Sequence, residues 1–152
     1  MNSVVIQQAD FDVAEQIEML RASSKTIGAI VSFVGLVRDM DQNEMVQKIS
    51  LEHYPGMSER SIHEINAEAI TRWNVSAIRV IHRVGELDAG DQIVLVLVAA
   101  QHRNDAFMAC EFVMDYLKVD APFWKKEFKQ SGQYWVDAKL TDDEAKSRWL
   151  KI

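Results

Sequence analysis

Three lysine side chains stand close together in the sequence, on either side of a proline: Lys118, Lys125 and Lys126 around Pro122. Proline cannot continue a helix and pushes the preceding residue toward extended geometry, so the chain is expected to turn sharply here. Ammonium groups gathered at such a corner suit an anionic substrate. On spacing alone, a solvated basic rim around a buried helix end is nevertheless the favoured interpretation.

Further cations stand at the ends of two predicted strands: Arg38 ends one, and His102 and Arg103 end another. Arginine can hold a phosphate or a carboxylate with two parallel hydrogen bonds, and strand ends that feed loops often carry ligand-binding groups. Clustered lysines disfavour one another's charged form, which would permit acid–base or nucleophilic chemistry near neutral pH. Each of these residues taken alone is better explained as a solvated strand or helix end.

The composition limits the class of protein. A chain of 152 residues fits one domain, spanning 1–152, and 48% hydrophobic residues can build a substantial core. The net charge of −6 argues against non-specific nucleic-acid binding, which depends on phosphate neutralisation. No apolar run is long enough to span a bilayer and no secretion signal is recognisable, so a cytoplasmic location is the simplest expectation.

Few other side chains have a spacing that suits chemistry. Cys110 is the only cysteine, which excludes an intrachain disulfide, and its place on the apolar face of a predicted helix indicates a buried, inert thiol. The histidines lack metal-ligand spacing, and the sequence has no glycine-rich phosphate loop or serine nucleophile elbow. We therefore expect neither a metal nor a cofactor, and we expect His53 and His82 to be packed or partly buried.

Strands and helices alternate along the chain and predict an α/β (α+β) fold with two-layer packing. Alternating branched and apolar residues predict the strands Val4–Ile6, Ile27–Val37, Val46–His53, Ala77–Val84, Ile93–Ala100 and Tyr134–Ala138. Helices are expected to begin at the caps Asp12, Ser58, Asn104 or Asp105, and Thr141, and Trp149 is expected to anchor the last one. Ile93–Ala100 is apolar on both faces, which places it in the middle of the sheet. Gly28 and Gly35 mark possible bulges or close approaches.

The length of one predicted helix constrains where these cations can meet. A helix from residue 104 to 118 is about 21 Å long at about 1.5 Å per residue. His102 and Arg103 therefore lie at the opposite end of the helix from Lys118, too far away to line the same small pocket. If both groups serve one ligand, two subunits must supply them, which leads to the hypothesis of an active site at a two-fold dimer interface.

Several long motifs in order resemble the large, catalytic subunit of molybdopterin synthase, the MoaE family. They are Leu51–Met57 (LEHYPGM), Ile81–Leu87 (IHRVGEL), His102-Arg103, Met114–Lys118 (MDYLK) and Ala121–Glu127 (APFWKKE). The similarity runs from about Gly28 to Trp149, nearly the whole chain, and none of the motifs is a short generic pattern.

The resemblance implies a fold, an activity and partners. The fold would be an α/β hammerhead with an additional small antiparallel sheet. The enzyme would be a sulfurtransferase that inserts two sulfurs into cyclic pyranopterin monophosphate to give the dithiolene of molybdopterin. The sulfur would come from the C-terminal Gly-Gly thiocarboxylate of a small ubiquitin-like subunit, in a heterotetramer built on a central homodimer of large subunits. Because the partner supplies the sulfur, the enzyme would need no metal, cofactor or cysteine nucleophile.

The resemblance also implies roles for individual residues. Lys118 and Lys125 match the family's catalytic lysines, and the substrate pocket is matched by Arg38, His102 and Arg103. Lys126 and Glu127 extend the segment where the carrier's C-terminal tail enters. The chain departs from the family at Leu36, where a basic residue is frequent, and Lys139 stands where another basic residue is frequent.

Two other functions are compatible with the sequence. One is a non-catalytic module that binds a ubiquitin-like partner, and the other is a dimer that senses a pterin or a phosphate. The presence of both Lys118 and Lys125 favours the enzyme over either alternative.

Overall fold

Two β-sheets and four α-helices form the computed structural model, which describes residues 1–41, 43–136 and 140–151. The strands are β1 (Asn2–Gln7), β2 (Ala29–Leu36), β3 (Met40–Asp41), β4 (Glu44–His53), β5 (Val75–Arg83), β6 (Gly85–Asp88), β7 (Gln92–Ala100), β8 (Phe123–Lys129) and β9 (Gly132–Val136). The helices are α1 (Val13–Ala22), α2 (Met57–Arg72), α3 (Arg103–Asp120) and α4 (Leu140–Ser147), followed by a 3-10 helix, Arg148–Lys151.

The larger sheet has the strand order β1-β5-β7-β2, with β1 parallel to β5 and the other pairs antiparallel. Its second-to-last strand, β7, contains the predicted interior strand, and every residue from Val94 to Ala100 is buried. Helices α2 and α3 cover one face, which is the two-layer arrangement expected from the sequence. Helix α1 packs on the other face, through Leu20 and its partly buried neighbours, and adds a layer that the sequence analysis did not include.

The smaller sheet is antiparallel, as the family resemblance implied. Its order is β3-β4-β8-β9, and β6 also pairs with β4. Strand β8 begins directly after Pro122, so the chain leaves α3 and enters this sheet within three residues. Strand β8 was not predicted from the sequence, because its inward positions include Lys125, Glu127 and Lys129 and the apolar alternation is missing.

Three predicted helix starts were wrong. Helix α2 begins at Met57 rather than after a Ser58 cap, and α3 begins at Arg103 with His102 as its N-cap rather than Asn104 or Asp105. The predicted cap Thr141 lies inside α4. Extended backbone at His102 allows the helix to start two or three residues earlier than the side-chain caps indicated.

Other local predictions are confirmed. The carboxylate of Asp12 accepts a hydrogen bond from the backbone N–H of Glu15 and caps α1. A Cβ at Gly28 would overlap the carbonyl oxygen of Gln101, so the backbones approach too closely for a side chain. The pairing of β2 with β7 shifts register between Gly35 and Leu36, as expected of a bulge.

An aromatic cluster fastens the C-terminal segment to α3. The ring of Phe112 lies 5.5 Å from the ring of Trp149 and 5.4 Å from that of Trp73, both edge to face. Trp149 is buried, and its indole N–H donates to the carboxylate of Asp115. The predicted anchoring role of Trp149 is therefore confirmed, although the residue lies in the 3-10 helix after α4. Among the described residues, none of the helices has both the length and the apolar character that a membrane crossing requires.

A buried serine ties the start of α2 to the corner after α3. The hydroxyl of Ser58 donates to the carbonyl of Pro122 at 2.8 Å and accepts from the backbone N–H of Tyr54 at 3.0 Å. Ser58 is fully buried, and its hydroxyl pairs two part-buried backbone groups from different parts of the chain.

The substitution Ser58→Ala should lower the free energy of unfolding by about 1–3 kcal/mol, because it removes the hydrogen-bond partner of two part-buried backbone groups. Urea denaturation measures the change. Ser147→Ala is the matched control, since the Ser147 hydroxyl bonds only the carbonyl of Glu144 at an exposed helix end. Equal stability of the Ser58→Ala and wild-type proteins would show that this tie contributes nothing.

Candidate functional site

A cavity of about 670 Å³ lies between the end of β2, the C-terminal end of α3 and strand β8. Lys118 reaches it from α3, Lys125 from β8 and Arg38 from the segment after β2. Apolar side chains and two carboxylates, those of Glu127 and Asp142, complete much of the lining. The structure therefore brings Arg38, which is distant in the sequence, to the same cavity as the two neighbouring lysines.

The pleat of β8 separates the two neighbouring lysines. Side chains at alternate positions of a strand point to opposite faces, and Phe123, Lys125 and Glu127 all line the cavity. Lys126 does not line the cavity, and its ammonium group lies 5.3 Å from the ring centre of Trp135 on β9. Of the three lysines around Pro122, Lys118 and Lys125 therefore line the cavity and Lys126 does not.

His102 and Arg103 are also outside the cavity. They stand exposed at the N-terminal end of α3, whereas Lys118 lies near its C-terminal end. The helix has 18 residues, which makes it about 27 Å long. One chain does not bring these two groups to Lys118, and the geometry fits the hypothesis that a second copy supplies them.

A cluster of buried charges lies beside Lys125. The ammonium group of Lys129 is 3.4 Å from a carboxylate oxygen of Asp41 and 3.8 Å from one of Glu127. Burial and the neighbouring carboxylate of Asp41 raise the pKa of Glu127. Opposite charges in this cluster partly offset each other. The surroundings of Lys125 therefore contain carboxylates as well as a second ammonium group.

The corner between the two cavity lysines is fixed by a stack of three rings. The imidazole of His82 lies 3.9 Å from the ring of Phe123, with 13° between the planes. His53 stacks beside Phe123 at 6.4 Å, and its Nε2 atom is 3.7 Å from the carboxylate of Glu59. Together with the bond from Ser58 to Pro122, the stack fixes the start of β8 against β4, β5 and α2.

His82 is buried, as the sequence analysis expected, but it also lines the cavity. Burial, together with a smaller effect of the positive charge of Lys118, lowers the pKa of His82 to about 4. A neutral imidazole is therefore part of the site at physiological pH. The sequence analysis did not count it as functional, although a histidine in the apolar row of Ile78 and Val80 is a signal of a buried polar group.

Three other residues were singled out in the sequence: Leu36, Lys139 and Cys110. Leu36 lines the cavity with 53% of its surface exposed, so an apolar side chain occupies the position where a basic one is frequent in the family. Lys139 lies outside the described residues. Cys110 is buried and burial raises its pKa to about 12, which confirms the prediction of an inert thiol.

Comparisons with known proteins agree with the resemblance in the sequence. Residues 6–120 match the family model described as "MoaE protein". The molybdopterin synthase catalytic subunit of Ralstonia nicotianae is 52% identical over 149 residues, which cover 98% of this chain and 85% of that protein.

Solved structures with the same fold include two of different similarity. The molybdopterin biosynthesis MoaE protein from Burkholderia ambifaria is 51% identical, covers 98% of both chains and superposes with a TM-score of 0.85. A chain in the complex of subunits 1 and 2 of the molybdopterin-converting factor from Helicobacter pylori is 22% identical. It covers 90% of this chain and 91% of that one, with a TM-score of 0.73, and shows the shared fold alone.

The buried neutral state of His82 predicts how stability depends on pH. Between pH 6.5 and 4, the unfolded chain binds a proton at His82 that the folded protein does not bind. The free energy of unfolding should therefore fall as the pH is lowered through this window, by on the order of 3 kcal/mol from this residue. Urea denaturation at several pH values measures the slope.

The variant His82→Phe should have a shallower slope between pH 6.5 and 4 than the wild-type protein. His63→Phe is the control, because His63 is exposed on α2 and its removal should leave the slope nearly unchanged. Parallel slopes in His82→Phe and wild type would contradict the assignment of a neutral buried imidazole.

Proposed function

Because this chain belongs to the MoaE protein family, we propose that it is the catalytic subunit of a molybdopterin synthase. In this proposal it is a sulfurtransferase of molybdenum cofactor biosynthesis that converts cyclic pyranopterin monophosphate to molybdopterin. A small ubiquitin-like carrier subunit supplies the two dithiolene sulfurs from its C-terminal thiocarboxylate. The observation that carries the proposal is the single cavity in which Lys118 and Lys125, from different elements, meet Arg38.

The reaction brings two anions together. Each transfer breaks the C–S bond of one carrier thiocarboxylate, and water supplies the oxygen of the carboxylate that remains on the carrier. The sulfur replaces an oxygen substituent of the pyranopterin, so a C–O bond breaks as the new C–S bond forms, and the displaced oxygen leaves as water or stays on the phosphate. Two carriers are consumed for each dithiolene. In a protein with a net charge of −6, a phosphorylated ring and a thiocarboxylate need local cations to bind side by side.

Lys118 and Lys125 have different roles in this proposal. Lys118 stabilises the oxyanion that forms at the thiocarboxylate carbon as sulfur is exchanged for oxygen, and it moves a proton. Lys125 steers the carrier tail into the cavity. Glu127, two residues further along the same face of β8, adjusts the charge beside Lys125. Lys126 lies on the opposite face, so we give it no role in the chemistry.

The phosphate and the pterin ring are held by arginine and histidine. Arg38 lines the cavity within the same chain and binds the phosphate. His102 and Arg103 come from a second copy of the chain, because one α3 helix holds them about 23 Å from Lys118. The assembly is thus a homodimer at the centre of a heterotetramer, with one carrier on each large subunit.

Two observations support the partner and the location. The R. nicotianae relative is named the catalytic subunit of a molybdopterin synthase, a name that implies a further subunit. The single cysteine of this sequence favours the cytoplasm, where disulfides are rare.

The substitution Lys118→Ala should lower turnover roughly 100- to 1000-fold, because it removes the group that stabilises the oxyanion. The assay mixes the chain with thiocarboxylated carrier and cyclic pyranopterin monophosphate and measures dithiolene product. Lys25→Ala is the control, since Lys25 is exposed and does not line the cavity. Full activity of Lys118→Ala would refute the role of Lys118, and carrier binding by the wild-type chain without product would favour a non-catalytic module.

Mixed dimers test whether two chains share one site. Lys118→Ala and Arg103→Ala should each be inactive alone, but a heterodimer of the two carries one site with both substitutions and one intact site. Unfolding and refolding an equal mixture should therefore restore about a quarter of wild-type activity. No restoration, with heterodimers demonstrated by mass spectrometry, would show that each site belongs to one chain.

A further inference from the structure

We infer that His82 is a positioning residue for Lys118, acting as a neutral hydrogen-bond acceptor that orients the lysine in the cavity. The inference rests on the proposed function, in which Lys118 is catalytic. It adds a residue that the family resemblance did not assign to the site.

His82 is a polar residue in an otherwise apolar row of β5, and packing alone does not explain why a histidine stands there. Ile78, Val80 and His82 follow one another on the same face of the strand, and the first two are fully buried. An aliphatic or aromatic residue would fill this row without the cost of burying polar nitrogen atoms. Only 5% of the surface of His82 is exposed, and the residue borders the cavity.

The hydrogen bond made by one ring nitrogen of His82 determines whether the other ring nitrogen carries a proton. The Nδ1 atom of His82 lies 2.8 Å from the carbonyl oxygen of Arg83. A carbonyl oxygen only accepts, so Nδ1 carries the proton and donates. In the neutral ring, Nε2 is then an unprotonated acceptor.

The ring cannot easily turn away from this orientation. It stacks on Phe123 at 3.9 Å, and Phe123 follows Pro122, whose carbonyl is held by Ser58. The same corner connects the end of α3, which carries Lys118, to β8. His82 is therefore fixed with respect to the segment that carries Lys118.

A hydrogen-bond acceptor on His82 can orient the neighbouring ammonium group of Lys118. Lys118 and His82 line the same cavity, and the charge of Lys118 acts on the imidazole. An ammonium group has three donors and a flexible stem, so it needs an acceptor to hold one orientation. A neutral acceptor orients the ammonium group without neutralising the charge that an anionic substrate requires, whereas a carboxylate would neutralise it.

Two substitutions separate the acceptor from the rest of the ring. In His82→Gln, the amide oxygen can replace Nε2 as an acceptor toward the cavity. In His82→Asn, the shorter amide can replace the Nδ1 donor to Arg83 but does not reach into the cavity. We expect His82→Asn to lower kcat roughly 10- to 100-fold with KM within about twofold of wild type, and His82→Gln to recover most of the loss.

The substitution His82→Phe preserves the stack on Phe123 and removes both nitrogens, and we expect it to lower kcat as His82→Asn does. The control is His53→Phe, because His53 stacks on the same ring but does not line the cavity. It should leave kcat near the wild-type value. Circular dichroism and the dimer mass verify the fold of each variant, and the Asn and Gln pair decides the question if His82→Phe does not fold.

Two results would overturn the inference: wild-type kcat in a folded His82→Asn or His82→Phe, or equal kcat in the Asn and Gln variants. A double variant separates this inference from the proposed function. His82→Phe should lower kcat when Lys118 is present and should have no further effect in Lys118→Ala. An active Lys118→Ala protein would refute the role proposed for Lys118, whereas an inactive one with unaffected His82 variants would refute only the role of His82.

Discussion

The corner at Pro122 is the constraint on which the candidate site depends. A helix and a strand meet there within three residues, and this brings Lys118 and Lys125 to one cavity. Proline prevents α3 from continuing, but it does not by itself determine where the chain goes next. The bond from Ser58 to the Pro122 carbonyl and the ring stack around Phe123 determine that direction.

Gathering cations in an acidic protein has an electrostatic cost that the structure reduces. Like charges repel strongly where the dielectric constant is low, so lysine side chains in one cavity need opposite charges or neutral polar groups nearby. Glu127 and Asp41 supply negative charge around Lys129 on the side of Lys125. On the side of Lys118, the neighbour is the neutral imidazole of His82. The two lysines therefore stand in different surroundings, which suits different roles.

The parts of the fold that follow a simple period could be predicted from the sequence. The apolar strand around Val94–Ala100 and the cap at Asp12 both depend on local patterns, and both are present. Strand β8 could not be predicted, because its inward face carries charges that only a folded cavity can accommodate. The separation of Lys125 from Lys126 follows from that strand, so the sequence grouped two residues that the sheet directs to opposite faces.

The pairing of β8 with β4 fixes which side chains enter the cavity, since Leu51 lies opposite Lys125 and Ser50 opposite Lys126. Inserting or deleting one residue between Pro122 and Lys125 would shift this register and exchange the two lysines between the faces. During evolution, the segment can therefore accept many changes of residue type at its outward positions. A change in its length would replace Lys125 in the cavity with Lys126 and turn Glu127 to the outward face, while leaving every catalytic side chain in the sequence.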